Sequence, residues 1–358
     1  MEIPTQRLES QHISRTDFKT PYEVVKHMGA MQAQDYHGVL WGIGLRTEDC
    51  TVKDIEQAIL DRKIVRTWPM RGTLHFVAAE DIRWMLKLLT PRMIKAAAGR
   101  RRNLEIEDAE LEKARKVLSS ALSGSDEYLS RQALLEILNK NGIRTTGQRG
   151  YHILAHWSQQ SLLCFGPHIG KQASFTLLER WVPKAKELSR EESLAELTRR
   201  YFTSHGPATI KDYVWWSNLT SADAKLGLEL AKDRLTQETV EDKVYYLTPS
   251  SMEASKPSAY LLPAFDEYML GYTDRSAVLH VDHAQKVVPG GNGVFLNTLV
   301  LDGQIVGLWK KQPKAKSINL QLLPFTNLSV SDKKRIEIAA KRYEHFIDTP
   351  VVTIDKVQ

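Results

Sequence analysis

The chain has few of the residues and segments that several common protein classes require. Its 358 residues include 2 cysteines, Cys50 and Cys164, too few for a disulfide framework or a cysteine-rich zinc site. No apolar run is long enough to cross a bilayer, and the first residues carry no apolar signal-peptide core. Neither a Walker motif nor a Gly-rich phosphate loop is present. We therefore expect a cytoplasmic protein with no membrane partner, no metal and no cofactor.

The composition is that of an ordinary globular protein with a modest excess of positive charge. Hydrophobic residues make up 42% and charged residues 26%. The 49 Lys and Arg residues against 43 Asp and Glu residues leave a formal net charge of +6. This excess is compatible with a polyanionic partner and does not by itself identify one. The length favours two or three modules rather than one.

Two carboxamides one residue apart form the most informative stretch. Gln32 and Gln34 flank Ala33, and an acid, Asp35, follows. Two carboxamides that meet in a cleft can hold a water molecule, but they cannot deprotonate it at neutral pH. Such a site suits a reaction whose leaving group is already activated. The alternative is that the two glutamines tie down a loop near a helix end. Asp35 is a possible supporting base, although we favour a helix-capping role for it.

A pattern of helices followed by a two-stranded ribbon recurs along the chain, most clearly in its middle. Residues 131–138 form an amphipathic pattern that ends at the capping signal of residues 139–142. A second helix is predicted from Thr146 through Trp157. Residues 162–167 and 173–177 then read as a strand pair. This is the order of a winged helix, the helix-turn-helix form with a β wing.

Two further copies of the pattern are predicted. The third copy has helices at 192–205, 209–216 and 222–231, and wing strands at 235–240 and 244–247. The first copy has helices at 20–34 and 51–61 and a strand at 64–77, which places both glutamines near a helix terminus.

After residue 255 the pattern changes from helices to strands. The predicted strands are 286–288, 293–296, 298–301 and 305–309, and a final amphipathic helix is predicted at 331–346. Asp302-Gly303 is a strong hairpin-turn signal between the last two strands. The C-terminal part is therefore predicted to be a small β-barrel-like module closed by a helix.

Five blocks, in order from about residue 30 to 310, resemble the AlkZ-like winged-helix DNA glycosylases, the family named for azinomycin resistance. The blocks are Gln32-Ala33-Gln34, Arg66–His75, Tyr151–His156, Ser204–Thr209 and Leu262–Arg275, the last with a short gap. Any one block alone is a weak signal, but the ordered set covers nearly the whole chain. Where some relatives carry an acid at the second motif position, this chain has Gln34, which places it with the Gln-Gln subgroup.

The resemblance implies an α+β fold of tandem winged-helix modules around a concave DNA-binding face, with a small C-terminal β-barrel-like module. The expected modules are 1–90 with the Gln-Ala-Gln motif, 91–185, 186–255, and 256–358 with the C-terminal helix.

The resemblance also implies a monofunctional DNA glycosylase that acts on cationic N-alkylated purines, either bulky N7-guanine adducts or interstrand crosslinks. Gln32 and Gln34 would be the catalytic residues and would position the attacking water. Because the motif contains no amine nucleophile, we expect no Schiff-base intermediate and no lyase activity. The expected partner is double-stranded DNA.

Several side chains are candidate DNA contacts, each with a plainer alternative. The candidates are Trp68, Arg71, His75, Arg100, Arg101, Arg102, Arg149 and His152. A basic run such as Arg100–Arg102 is also typical of a solvated helix face, and for Trp68 core packing is favoured. For Arg71 we lean towards a DNA or site contact.

Other acids and histidines allow further interpretations. Asp266 and Glu267 are neighbours, and on a strand they would face opposite sides, which disfavours a paired acid and base. Asp266 is a possible supporting residue, or part of a polar network with Arg275 or Tyr272. His152 and His156 share a helix face, but packing or DNA contact is favoured over a metal site.

The main competing hypothesis is a non-catalytic winged-helix DNA-binding regulator. A regulator normally dimerises to match a palindromic site. A lesion scanner works as a monomer, and a monomer is what we expect here.

Overall fold

The computed structural model describes residues 2–124, 127–249, 257–291 and 293–355. Within them, the α-helices α1 to α16 are Ile3–Ser10, Pro21–Met28, Tyr36–Gly44, Val52–Leu60, Ile82–Ala96, Ala98–Asn103, Asp108–Leu122, Arg131–Lys140, Arg149–Gln159, Leu178–Trp181, Arg190–His205, Ile210–Ser217, Ser221–Ala231, Glu267–Leu270, Ala284–Val287 and Val330–Ile347. The β-strands β1 to β13 are Met31–Gln32, Ile64–Met70, Thr73–Ala78, Leu129–Ser130, Leu163–Phe165, Ser174–Leu177, Thr236–Val240, Lys243–Leu247, Ala259–Leu262, Thr298–Leu301, Gln304–Pro313, Ile318–Pro324 and Val351–Asp355.

Helices and sheets are mixed along the chain, which makes the fold α+β, and the chain divides into two compact units. One unit is residues 1–55 together with 195–358, and the other is residues 56–194. The four modules expected from the sequence have other boundaries, and that division stays a prediction. Its last boundary, at 255/256, lies outside the described residues. Among the helices that the structure describes, none has the length and apolar character needed to span a membrane.

In the unit formed by residues 56–194, the predicted middle pattern of elements is confirmed. Helices α8 and α9 are followed by antiparallel strands β5 and β6, and β4 pairs with the other edge of β6. The predicted single strand at 64–77 is instead two antiparallel strands, β2 and β3. They are separated at Arg71 and Gly72, whose φ angles of 54° and 69° lie in the left-handed region. Consecutive left-handed residues favour a tight hairpin turn.

The core of this unit is built around aromatic side chains. Trp68 is 2% exposed, and its ring lies 5.0 Å from that of Phe165 and 6.3 Å from that of Phe175. Its indole Nε1 donates a hydrogen bond to the Tyr151 hydroxyl at 3.2 Å. Trp157 donates to the Leu111 carbonyl at 3.0 Å. Because the indole N–H groups of Trp68 and Trp157 both have an acceptor, these two side chains contribute apolar area without an unsatisfied donor.

In the other unit, the predicted third pattern is also confirmed. Helices α11, α12 and α13 are followed by the antiparallel hairpin of β7 and β8. Helix α12 begins at a capping box, in which Thr209 and Asp212 satisfy each other's backbone N–H groups. The Oδ1 atom of Asp212 also accepts hydrogen bonds from Thr273 N at 2.8 Å and Oγ1 at 2.7 Å.

The C-terminal strands form one five-stranded sheet in the order β13-β12-β11-β10-β9. The turn between β10 and β11 is at Asp302 and Gly303, as predicted, and the final helix is confirmed as α16. In the described part of this sheet, β13 and β9 are the end strands, so closure into a barrel stays a prediction.

Three local predictions were wrong. Residues 286–288 are not a strand, since Lys286 and Val287 lie in α15, and residues 293–296 form no regular element. Runs of three or four apolar residues do not distinguish a strand from a short helical turn. The helix predicted at 20–34 ends at Met28 because Gly29, with φ 75°, stops it.

A buried ion pair connects two distant segments of the larger unit. Arg46 directly follows Leu45, the C-cap residue of α3, and Asp266 is the N-cap residue of α14. The two guanidinium Nη atoms donate to the two Asp266 carboxylate oxygens at 2.9 and 2.8 Å. The side chains are 0% and 2% exposed. Arg46 also donates to the Gln11 and Gly42 carbonyls, so its buried charge is well solvated by the protein.

We expect Arg46→Met to lower the free energy of unfolding by about 3–5 kcal/mol, because it leaves the Asp266 carboxylate buried without its partner. Urea unfolding followed by circular dichroism measures this. The control is Lys53→Gln, which removes an exposed ion pair with Asp348 and should leave the unfolding midpoint nearly unchanged. An Arg46→Met midpoint equal to that of the native protein would show that the buried ion pair does not stabilise the fold.

Candidate active site

The first motif glutamine is buried at the end of a very short strand. Gln32 is the second residue of β1 and is 9% exposed, whereas Gln34 is exposed. The Gln32 side-chain Oε1 atom is buried, and among the described residues it has no hydrogen-bond partner. An unsatisfied buried acceptor is costly, so its presence needs an explanation such as a water or a ligand.

A carboxylate from a distant part of the chain holds the backbone at this position. The Gln32 backbone N–H donates to Glu267 Oε1 at 3.0 Å. Glu267 is the first residue of α14 and is 1% exposed. The residues are 235 positions apart in the sequence. The contact therefore depends on the tertiary fold and not on local structure.

The other oxygen of Glu267 contacts two further side chains. Trp216 Nε1 donates to Glu267 Oε2 at 3.0 Å, and His205 Nε2 lies 3.4 Å from the same oxygen. His205 is fixed in turn, because its Nδ1 lies 2.7 Å from Ser204 Oγ and its ring stacks on Tyr201. Position 271 requires glycine, because a Cβ atom there would lie 2.5 Å from His205 Cδ2.

Asp266 and Glu267 have different partners, and neither lies on a strand. The expectation that they are strand neighbours was wrong, because the Asp266 carboxylate caps α14 by accepting from Tyr268 N at 2.9 Å. The ionic partner of Asp266 is Arg46, not Arg275 as the sequence suggested. Tyr272 belongs to the same network through Gln11, whose Nε2 donates to the Tyr272 hydroxyl at 3.1 Å and whose Oε1 accepts from Arg46 at 2.8 Å.

Asp35 is a helix cap, as favoured from the sequence. It is the N-cap residue of α3, and its Oδ1 atom accepts from Gly38 N at 3.1 Å. Gly38 fits this close cap, since a Cβ atom there would lie 2.6 Å from the Asp35 carboxylate.

Three of the candidate DNA contacts are buried within the unit of residues 56–194. Trp68 belongs to its core, so the packing alternative describes its position. His75 is 0% exposed, and its ring nitrogens lie 3.0 Å from the Thr73 carbonyl and 3.1 Å from Arg71 Nη2. Arg149 is 5% exposed and donates to Glu110 Oε1 at 2.6 Å and to the Glu105 carbonyl at 2.7 Å. Direct DNA contact by any of them would require the surrounding segment to move.

The remaining candidates are more accessible and include a basic group on α6 and α9. Arg100 and Arg102 are exposed, Arg101 is partly buried, and Arg100 donates to Gln148 Oε1 at 2.7 Å. His152 is partly buried on α9, and burial, followed by the charges of Arg100 and Arg101, holds its pKa below the usual value. Arg71 is partly buried at the β2–β3 turn.

The histidine pair of α9 has the expected shared face. His156 is 9% exposed, and burial lowers its pKa to about 4, which keeps the ring neutral at pH 7. In the part of the chain that the structure describes, no group of three or more His, Cys, Asp and Glu side chains is arranged to hold a metal ion.

Sequence reasoning missed the Glu267 cluster around Gln32. From the sequence, Glu267 is considered only as a possible partner of Asp266. The available signal was an acid pair inside the otherwise apolar run from Leu261 to Tyr268. Nothing local to that run indicates Gln32 as its partner.

Comparisons with known proteins agree on one family. Residues 25–346 match the family described as DNA glycosylase AlkZ-like. The chain is similar to the interstrand DNA cross-link repair glycosylase of Streptomyces sahachiroi, at 25% identity over 321 residues and 85% of each chain. Its fold is similar to that of the solved structure of Streptomyces sahachiroi DNA glycosylase AlkZ. The TM-score is 0.80 at 20% identity, and the match covers 99% of this chain and 98% of the other.

The buried histidines predict a loss of stability in acid. Burial holds the pKa of His27 to about 3 and that of His156 to about 4, whereas both would titrate near 6.5 in the unfolded chain. Between pH 6.5 and 4 the unfolded state therefore binds more protons. Each histidine lowers the free energy of unfolding by about 1.4 kcal/mol per pH unit as the pH falls.

His156→Phe should lower this slope by up to about 1.4 kcal/mol per pH unit, because position 156 no longer titrates. Urea unfolding at several pH values between 7.5 and 5 measures the slope. The matched control is His280→Gln, a change at an exposed histidine that should leave the slope unaltered. Equal slopes for His156→Phe and the native protein would refute the assignment.

Proposed function

The chain belongs to the AlkZ-like DNA glycosylase family, and from this premise we propose that it is a monofunctional glycosylase for cationic N-alkylated purines in duplex DNA. In this proposal it hydrolyses the N-glycosidic bond with a water molecule that Gln32 and Gln34 position. The expected substrates are bulky N7-guanine adducts or interstrand crosslinks.

The observation that carries the proposal is the buried carbonyl oxygen of the Gln32 side chain. It has no hydrogen-bond partner among the described residues, in a segment whose backbone is firmly held. A water molecule that donates to this oxygen would satisfy it. Positioning a nucleophile in this way contributes to catalysis without a general base. The carbonyl dipole would also face the positive charge that develops on the sugar.

The charge of the lesion explains why two carboxamides suffice. An alkylated N7 or N3 atom makes the purine cationic, so the base departs as a neutral molecule and needs no general acid. The relative from Streptomyces sahachiroi is named an interstrand DNA cross-link repair glycosylase, which supports the crosslink as one substrate class. Neutral damaged bases such as uracil should be poor substrates. Because neither Gln32 nor Gln34 carries an amine nucleophile, we propose hydrolysis without strand cleavage.

We propose that duplex DNA is bound in part by the basic surface of α6 and α9. Arg100, Arg102 and His152 are its accessible members, and Arg71 at the β2–β3 turn is a further candidate. The exposed guanidinium groups of Arg100 and Arg102 carry positive charge that phosphates would neutralise. In this proposal Trp68, His75 and Arg149 are buried side chains that stabilise the segments carrying this surface.

The element order supports finer architectural proposals. We propose that α8 and α9 with β5–β6, and α11 to α13 with β7–β8, are winged helices. We also propose that the protein acts as a monomer, since a lesion scanner needs no palindrome.

The competing function is a non-catalytic DNA-binding regulator. The repeated helix and hairpin patterns favour it, but a regulator leaves the buried, unsatisfied Gln32 oxygen unexplained.

Gln32→Ala should lower the single-turnover rate of base release about 100-fold, because it removes a group that positions the nucleophile. Gln34→Ala should also slow release, and both variants should retain duplex affinity. The substrate is a duplex with a single N7-methyl-deoxyguanosine, and an N7-linked crosslink is the second substrate. Gln57→Ala, at an exposed glutamine of α4, is the control and should match the native rate. Duplex binding without release of either lesion by the native protein would favour the regulator.

Arg102→Gln should weaken binding to undamaged duplex and reduce the slope of log K against log salt by about 0.9, if Arg102 neutralises one phosphate. Fluorescence anisotropy at several salt concentrations from about 50 to about 200 mM gives the slope. Lys116→Gln, at an exposed lysine of α7, is the control and should leave the slope unchanged. A native slope for Arg102→Gln would remove this residue from the interface.

A further inference from the structure

We propose that Glu267 is a positioning residue for the glycosylase reaction, acting through Gln32. Its carboxylate fixes the backbone of Gln32 and thereby the place of the side chain that is to hold the water. This inference rests on the proposed function, because it assigns a role within the same site.

The two oxygens of Glu267 have separate partners. Oε1 accepts from Gln32 N at 3.0 Å, while Oε2 accepts from Trp216 Nε1 at 3.0 Å and lies 3.4 Å from His205 Nε2. One oxygen therefore contacts the motif strand, and the other contacts α11 and α12. The carboxylate joins the motif to the helices through directional bonds, so a shift of Glu267 would be transmitted to Gln32.

The hydrogen bond from Gln32 N to Glu267 is important for the position of β1, because this strand has two residues. A strand this short has few ladder hydrogen bonds to define its position. A hydrogen bond to a carboxylate is also stronger than one to a neutral acceptor. Since a displacement of about 1 Å in a positioning group can cost about 100-fold in rate, an anchor at Gln32 has kinetic consequences.

The neighbouring residue Asp266 also restricts the orientation of Glu267. Asp266 caps α14 and is held by Arg46, so the first turn of the helix has little freedom. Glu267 is the next residue along the chain, and it is 1% exposed. The buried ion pair and the buried carboxylate thus form one continuous support that ends at the motif.

A purely structural role makes a different prediction from a positioning role. If Glu267 only supports packing, any disturbance of its cluster should affect stability and rate together. If it acts through Gln32, the effect should depend on the Oε1 contact and should vanish once the Gln32 side chain is gone. Trp216→Phe separates the two, because it removes a donor to Oε2 and leaves Oε1 with Gln32.

The test is single-turnover base release from the N7-methyl-deoxyguanosine duplex by Glu267→Gln, Trp216→Phe, Gln32→Ala and the Glu267→Gln/Gln32→Ala double variant. In Glu267→Gln, either orientation of the amide turns an N–H group towards an N–H donor. The Trp216 indole N–H, which can only donate, favours keeping the carbonyl oxygen at the Oε2 position, so the Gln32 contact is the one lost. Loss of a charge-assisted hydrogen bond predicts a rate about 10- to 100-fold lower with duplex affinity nearly unchanged.

Two further outcomes are expected. Trp216→Phe should stay within about threefold of the native rate, and the double variant should be no more than about twofold slower than Gln32→Ala alone, since coupled residues are not additive. A native rate for Glu267→Gln, an equal loss for Trp216→Phe, or multiplied losses in the double variant would each overturn the proposal. If Glu267→Gln gives no folded protein, Glu267→Asp replaces it, because its shorter side chain cannot keep both sets of contacts.

Amide hydrogen exchange at Gln32 separates this inference from the proposed function. The measurement needs no substrate. Protection of the Gln32 amide should fall in Glu267→Gln and persist in Trp216→Phe. If the native protein releases no base, the proposed function fails, and the catalytic role of Glu267 fails with it. Unchanged protection in Glu267→Gln refutes the anchoring contact itself, whatever the activity.

Discussion

The buried pair of Arg46 and Asp266 is the constraint on which the candidate site depends. Two charges that are almost inaccessible to water are stable only when their geometry is good and their remaining donors and acceptors are satisfied. Here each Nη atom donates to a different carboxylate oxygen, and the remaining donors are accepted by the Gln11 and Gly42 backbone carbonyls and by the Gln11 side-chain oxygen. The pair fixes the start of α14, which places Glu267, and Glu267 holds Gln32. A segment near residue 46 thereby controls a motif at residue 32 through residues 266 and 267.

Two adjacent acids thus have distinct structural positions, and neither has the geometry of a general base for a water held by the motif. Asp266 is neutralised by an arginine, and both Glu267 oxygens already accept hydrogen bonds. An acceptor occupied in this way is poorly placed to remove a proton. Such an arrangement is consistent with chemistry that relies on the leaving group, since a cationic purine departs without acid assistance. In the proposed mechanism, the carboxylates would contribute by placing Gln32 and through their electrostatic field.

Local patterns predicted the elements well, and long-range contacts account for what they missed. Periodicity and turn residues predict the helices of the middle and third patterns, the β5–β6 and β7–β8 hairpins of those patterns, and α16. The hairpin at Asp302-Gly303 needed no tertiary information. The strands expected at 286–288 and 293–296 failed because short apolar runs are ambiguous. The Glu267 contact was beyond sequence reasoning because its partners are 235 residues apart, and either residue alone has an ordinary alternative role.

The buried arginines show why a positive composition does not identify a DNA-binding surface. Arg149 is one of the candidate DNA contacts, yet its donors are directed to Glu110 and to backbone carbonyls. A guanidinium has five donors in a fixed plane, which suits it equally to phosphates and to several carbonyls at once. Arg100 has one such internal contact, to Gln148, and remains exposed. Exposure therefore separates arginines that are available to phosphates from those that hold the fold together, and the sequence does not contain that distinction.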